Sequence, residues 1–231
     1  MGSWRIIGEV GLASEMHSDP MRFAGLRTAR FIDVTRSALV LGSNQNFGDV
    51  DLQALNRLSA ELVVRKSGGG AVFLSPGGQL WVDIAIPKDD QLYDEDVSKS
   101  FHVIGEIFFG VLSDFGVHNL VIHTGRLVGG QLSKKICFAG LGPGEITCEG
   151  AKVVGMSQRR TSLGAVFQCT VYVRYPFKEL QELIREVNAT SLLRGYAMGV
   201  AEIIDAFQHK EDSLVVSELR RSLTAALENL R

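Results

Sequence analysis

The sequence predicts an α+β protein: mixed and antiparallel sheets flanked by helices, followed by a helical tail. Three observations carry this. Short β-prone runs bounded by turn signals dominate the first 176 residues. Helices do not alternate regularly with strands, as a doubly wound parallel sheet would require. After Pro176 the texture changes to apolar residues at helical spacing.

In chain order, residues 4–10 read as a strand, and Pro20 breaks any continuous helix in the segment that follows. Residues 29–34 and 37–41 read as two strands around a tight turn. Leu52, Leu55 and Leu58 share a helical face, so 51–60 is a short helix with Asp51 as its N-cap. Strands bracket the glycines at 68–70, and 80–86 alternates as a further strand ended by Pro87. Val97, Phe101, Ile104, Phe108, Val111 and Leu112 lie on one face, which makes 94–115 the longest helix. A strand at 119–123 leads into a glycine-rich loop through Gly130. Residues 145–156 form a hairpin turning at Glu149-Gly150, and 165–175 is a strand closed by Pro176. Phe177, Leu180, Leu183, Ile184 and Val187 mark one tail helix, 197–207 a second, and Leu219, Leu223, Leu227 and Leu230 a third beginning near Asp212. The expected organisation is one domain over 1–176, with 177–231 as a helical extension packed on it.

Composition excludes several classes. The chain has 231 residues, 45% hydrophobic and 22% charged, enough to bury a full core. A formal charge of −2 leaves no basic surplus for a nucleic-acid backbone. No segment approaches a membrane span, and the first residues lack the apolar core of a signal peptide, so a cytoplasmic protein with neither a nucleic-acid nor a membrane partner is expected. Three cysteines, Cys137, Cys148 and Cys169, make a disulfide framework improbable; each is buried filler or a reactive thiol. His118 and His123 on one strand would face opposite ways, and His17, His102 and His209 are isolated, so no metal site is expected.

Two stretches carry chemistry. In Arg65-Lys66-Ser67-Gly68-Gly69-Gly70-Ala71-Val72-Phe73, three glycines without Cβ atoms let backbone amides approach a bound phosphate or carboxylate, with counter-charge just upstream. The alternative is a plain turn. It is neither a P-loop nor a dinucleotide fingerprint. In Lys152-Val153-Val154-Gly155-Met156-Ser157-Gln158-Arg159-Arg160, a strand lysine points an ammonium at a fixed place, suited to a carboxylate, a phosphate or a developing oxyanion, and Gly155 leaves room for a ligand. The alternative is a solvated lysine.

Together these stretches resemble the lipoate-protein ligase and octanoyltransferase family, which shares a catalytic domain with biotin-protein ligases. The family pattern is R-R-x-[ST]-G-G-G-A-V followed by K-[IV]-x-G-[SM]-[AS]-Q-R-R, here about a hundred residues end to end. The likeness extends more weakly over residues 4–175 and fades in the tail. It implies a biotin/lipoate ligase-like catalytic domain over 1–176. It also implies that Lys152 contacts the acyl carbonyl and that Arg65, Ser67, Gly68, Gly69, Gly70, Ala71 and Val72 form the loop over an activated acyl group, with Gly155 and Ser157 on the facing strand. Glu145 falls where many members carry an acidic residue near the nucleotide.

Cys137, 15 positions before Lys152, sits in a Cys-Phe context like that of octanoyltransferases with a nucleophilic cysteine. Some ligases carry Cys-Phe there without using it. Leu74-Ser75 replaces a common His-Asp, and Gln168-Cys169-Thr170 a common His-His-Gly or Gln-His-Gly. The tail also differs from the ligases' accessory domain. Two chemistries follow from the resemblance. A ligase would use ATP and Mg²⁺ to form lipoyl-AMP from lipoate or octanoate, and has a slight edge from the glycine loop and Glu145. A transferase would use octanoyl-acyl carrier protein and Cys137 with no cofactor. Either would modify a lysine of lipoyl domains in 2-oxoacid dehydrogenases or the glycine cleavage H protein. A non-catalytic partner that binds an acyl group or a lipoyl domain is the reading from another class.

Overall fold

The computed structural model describes residues 3–18, 25–185 and 195–230. The expectations about Pro20 and Val187 fall outside them. Ten strands are described: β1 (Arg5–Gly11), β2 (Thr28–Val34), β3 (Ala38–Leu41), β4 (Glu61–Val64), β5 (Val72–Leu74), β6 (Gln79–Pro87), β7 (Leu120–Ile122), β8 (Ile146–Cys148), β9 (Ala151–Thr161) and β10 (Gly164–Tyr172). The helices are α1 (Ala13–Ser18), α2 (Leu52–Arg57), α3 (Val97–Asp114), α4 (Gln131–Lys135), α5 (Phe177–Leu183) and α6 (Asp212–Asn229).

A seven-stranded sheet runs β1-β2-β6-β10-β9-β8-β7, and a three-stranded sheet runs β4-β3-β5. Each sheet is mixed: β1 pairs parallel with β2, and β3 parallel with β4, while the other pairings are antiparallel. The runs at 29–34 and 37–41 are strands as expected, but β2 and β3 join different sheets. The turn between them switches layers and does not close a hairpin. β6 lies central and is buried along its whole length.

The period-2 alternation of β6 and β10 divides the large sheet's faces. Val82 and Ile84 of β6, with Phe167 and Val171 of β10, pack under the apolar faces of α3 and α6, including Ile104, Phe108, Leu219 and Leu223. The tail helix α6 therefore shares the main core. On the other face two rows cross the strands in register. Arg30 lies opposite Asp83, Asp83 opposite Gln168, and Gln168 opposite Ser157; one step along, Ile32, Trp81, Thr170 and Gly155 form the next row. The small sheet covers this face, and the candidate site lies between the two layers.

Local signals explain the boundaries. Asp51 caps α2 by accepting from the N–H groups of Gln53 and Ala54, both at 2.9 Å, and Asp96 caps α3 in the same way. Glu149 and Gly150 both take positive φ, 51° and 85°, the backbone a two-residue hairpin needs. The helix expected over 197–207 is instead two 3-10 turns, Val200–Glu202 and Asp205–Phe207. Ala197 is drawn into a β-bridge by hydrogen bonds from Lys152 N–H to the Tyr196 carbonyl and from Met198 N–H to the Lys152 carbonyl. Any Cβ at Gly199 would meet the Val173 and Arg174 backbone, so the chain lies flat against its neighbour. Among the described residues, no helix is long and apolar enough to cross a membrane.

Candidate active site

The glycine loop connects β4 to β5 on either side of β3. Gly69 takes φ +100°, open to glycine and strained for other residues. Arg65 is 4% exposed and donates to the carbonyls of Gly68 and Gly70, both at 2.9 Å, so it staples the loop from within. Its Nε is buried with no partner. Among the described residues the N–H groups of Gly68, Gly69 and Gly70 donate to nothing. Unpaired amides at one edge of a cleft are open to an incoming oxygen.

Against this loop lies a 3-10 turn, Cys137–Ala139, which follows α4. Ala71 N–H donates to the Lys135 carbonyl at 2.8 Å and Cys137 N–H to the Ala71 carbonyl at 3.0 Å. The approach is close. A Cβ at Gly70 would lie 2.5 Å from the Ile136 carbonyl carbon and 2.6 Å from Cys137 N. Gly70 is thus required by the position of Cys137. Behind the turn the Phe138 ring packs edge-on to Tyr172, and Tyr175 and Phe177 complete an aromatic cluster. Burial pushes the phenols of Tyr172 and Tyr175 far up, so both stay neutral.

Lys152 rises from β9 beneath the same turn. Its ammonium contacts Glu145 Oε2 at 2.7 Å and donates to the carbonyls of Cys137 at 3.2 Å and Gly140 at 3.0 Å. The Phe138 ring lies 4.9 Å from it. Glu145 also accepts from Met156 N–H at 2.8 Å and Gly142 N–H at 2.7 Å. This buried ion pair is therefore fully hydrogen-bonded, as burial of charge requires. It ties β8, β9 and the Cys137 turn together.

Two hollows meet at Cys137. A groove of about 310 Å³ is bordered by the three loop glycines, Glu145, Lys152 and Cys137. A narrower pocket runs inward between the sheets, lined by Cys137, Phe138, Met156, Ser157, Arg65, Val72, Leu74, Thr170, Trp81, Gln168 and His17. Cys137, Met156 and Ser157 border both. Along one wall Ser67 Oγ lies 3.1 Å from Ser157 Oγ and donates to Gln168 Oε1 at 2.9 Å. The Gln168 amide meets His17 Nδ1 at 3.3 Å. Burial, then the nearby cations of Arg65 and Arg30, lower the His17 pKa to about 4. His17 is neutral at pH 7.

The candidate binding and catalytic residues named from the sequence converge here, with changed contacts. Arg65 holds the loop's carbonyls, and Ala71 pairs with the chain beside Cys137. The room left by Gly155 is filled by the Phe138 ring, 2.5 Å from where its Cβ would stand. Lys152 directs its hydrogens to protein acceptors. Sequence reasoning missed His17, Trp81, Phe138 and Gln168 as pocket walls. The alternation of β6 and β10 marks one face carrying Trp81, Asp83, Gln168 and Thr170, and that was the available signal; His17 had none. Among the described residues no group of three His, Cys, Asp or Glu could hold a metal ion.

The fold and this site define an enzyme of acyl transfer. The chain belongs to the lipoyl protein ligase A/B catalytic domain family, whose model matches residues 22–228. It is similar to the octanoyltransferase LipM of Clostridioides difficile (strain 630), 24% identical over 96% of this chain and 82% of that protein. It also resembles a lipoate-protein ligase A solved with bound ATP, at 17% identity and TM-score 0.68, covering 97% of this chain and 83% of the other. A bi-partite lipoate protein ligase of Thermoplasma acidophilum, solved in a study of an archaeal lipoylation system with its E2 lipoyl domain, aligns at 15% identity and TM-score 0.65 over 96% and 82%. The structural likenesses establish a shared lipoate ligase fold.

Proposed function

We propose that this protein is an octanoyltransferase: it accepts an octanoyl group as a thioester on Cys137 and passes it to a lysine of a lipoyl domain. The observation that carries this reading is that Cys137 borders both hollows, at the mouth of the inner pocket and on the groove. An acyl chain seated inward presents its carbonyl carbon to that sulfur. About 0.8 kcal/mol per buried methylene holds the chain.

In the first step the Cys137 sulfur, as thiolate, attacks the thioester carbonyl of octanoyl-acyl carrier protein. A new C–S bond forms, the donor C–S bond breaks, and the donor thiol leaves with a proton. In the second step the acceptor lysine amine attacks the acyl-cysteine, the C–N bond forms, and the Cys137 thiol is restored as the amine loses its proton. The glycines whose amides are unpaired border the groove where negative charge develops on the carbonyl oxygen, which supports them as its donors. Lys152 acts by fixing the Cys137 turn and placing a cation beside it.

The sequence pattern leans to the ATP-dependent ligase; the contacts of Lys152 and Glu145 support the transferase. The Lys152 hydrogens are committed to three protein acceptors, and Glu145 to Lys152 and two amides. As placed, these two side chains offer no free group to a triphosphate with Mg²⁺, which supports the transferase reading, and no step is routed through one. The acceptors expected are lipoyl domains of 2-oxoacid dehydrogenases or the glycine cleavage H protein.

The deciding experiment offers the full chain an apo lipoyl domain with either octanoyl-acyl carrier protein alone or free octanoate or lipoate with ATP and Mg²⁺. Modification from the first mixture supports the transferase. Modification only from the second, with release of AMP, returns the reading to the ligase, and none from either favours a binding partner.

A further inference from the structure

The inner pocket has one yielding end and one pinned end. At the mouth lie Cys137 and the flexible Met156, both shared with the groove. Phe138, next to Cys137, packs on Gly155 of β9, whereas Trp81 stands two strands away on β6, about 9–10 Å across the sheet, so Trp81 and the His17 ring against it form the far end. There the His17 and Trp81 rings stack with centroids 4.7 Å apart and planes 28° from parallel.

Both rings are anchored. Trp81 is 3% exposed, and its Nε1–H donates to Asp83 Oδ1 at 2.9 Å. Asp83 is held in turn by Arg30 at 2.8 Å. His17 is held through Nδ1 by Gln168, and Gln168 by Ser67. The cavity between these walls measures about 30 Å³, room for about one or two waters. An incoming hydrocarbon chain must displace side chains, and those at the mouth move more readily than a stack tied at both rings.

We propose that His17, stacked on Trp81, is the end stop that sets the longest acyl chain the pocket accepts. It rests on the acyl pocket of the proposed function, but concerns binding and does not depend on which chemistry follows. A neutral imidazole is suited to the place: it presents an aromatic face to hydrocarbon while its ring nitrogen keeps the polar wall satisfied. Removing the ring opens space along the chain axis. Each further methylene buried gains about fourfold in affinity, so two give about fifteenfold.

Free saturated fatty acids of six to fourteen carbons serve as probes, titrated against the full chain. The sequence has two tryptophans, so a Trp4→Phe background leaves Trp81 fluorescence as a reporter at the pocket end itself. His17→Ala should move the preferred chain at least two carbons longer, with decanoate gaining about fifteenfold relative to octanoate. His17→Phe, which keeps an aromatic stack, should retain the wild-type limit, and His17→Trp should shorten it. An unchanged chain-length profile in folded His17→Ala, or in His17→Trp should the alanine variant not fold, overturns the proposal. So does transfer activity with no fatty-acid effect on Trp81, which leaves the proposed function standing. Length shifts without transfer from any donor uphold the end stop and remove the transferase reading.

Discussion

The Lys152 ammonium lies 2.7 Å from Glu145 Oε2, and both side chains are almost fully buried. This pair is a structural tie as well as an electrostatic one, since the same ammonium holds the carbonyls on either side of the Phe138-Ala139 pair. Lys152→Ala should slow transfer by about 10²- to 10³-fold. It should also cost about 3–5 kcal/mol of stability, because Glu145 is left as a buried unpaired charge. Lys152→Met combined with Glu145→Leu should recover much of that stability in chemical denaturation and none of the activity. Folded Lys152→Ala working at more than a tenth of the wild-type rate would remove Lys152 from the site.

The loop glycines are not equivalent. A Cβ at Gly68 meets nothing within 4 Å, whereas one at Gly70 collides with the backbone of Ile136 and Cys137. Gly68→Ala should therefore fold and transfer within a few-fold of wild type. Gly70→Ala should displace the Cys137 turn and lose transfer by at least tenfold. Equal activity of the two variants in a single-turnover assay would show that the packing at Gly70 does not position the cysteine.

His17 should leave a mark on acid stability. Its folded pKa is lowered to about 4 from 6.5, so between these values the unfolded chain binds the proton and the folded chain does not. Stability contributed by His17 is therefore lost as pH falls from about 6.5 towards 4. Burial raises the Asp83 carboxyl, which acts with the opposite sign, so the wild type must be compared with His17→Phe. Urea midpoints measured from pH 7 to 4 should fall more steeply for wild type than for the variant. Parallel curves would show that His17 is not buried neutral.

How much of this was legible depends on the range of the forces involved. Local signals were sufficient for α2 and α3, where Asp51 and Asp96 cap apolar faces, and for the β8–β9 turn, where Glu149-Gly150 takes positive φ. The failure at 197–207 came from a tertiary contact: the ladder to β10 ends at Val154, so β9 at Lys152 takes Ala197 into a bridge, and no helical periodicity records that. The site followed the same division. Gly68 to Gly70, Cys137 and Lys152 were visible as residue types in a pattern. The partnership of Glu145 with Lys152 arises when β8 pairs with β9, and the stack of His17 on Trp81, 64 positions apart in the chain, only when distant segments come together. Gly155 is the instructive case, since its missing side chain makes room for Phe138, which lies 17 positions earlier.

The central claim is an acyl-enzyme at Cys137, and trapping it is the most direct test. The full chain is mixed with octanoyl-acyl carrier protein, without nucleotide, and examined by intact and peptide mass spectrometry. One octanoyl group should appear on Cys137, be removed by hydroxylamine, and move to an apo lipoyl domain on its addition. Cys137→Ser should form no such adduct. Cys148→Ser and Cys169→Ser should form it normally, since both native thiols are buried and burial raises their pKa values. The account is contradicted if no adduct forms while ATP with free octanoate or lipoate modifies the domain and Cys137→Ser retains the wild-type rate.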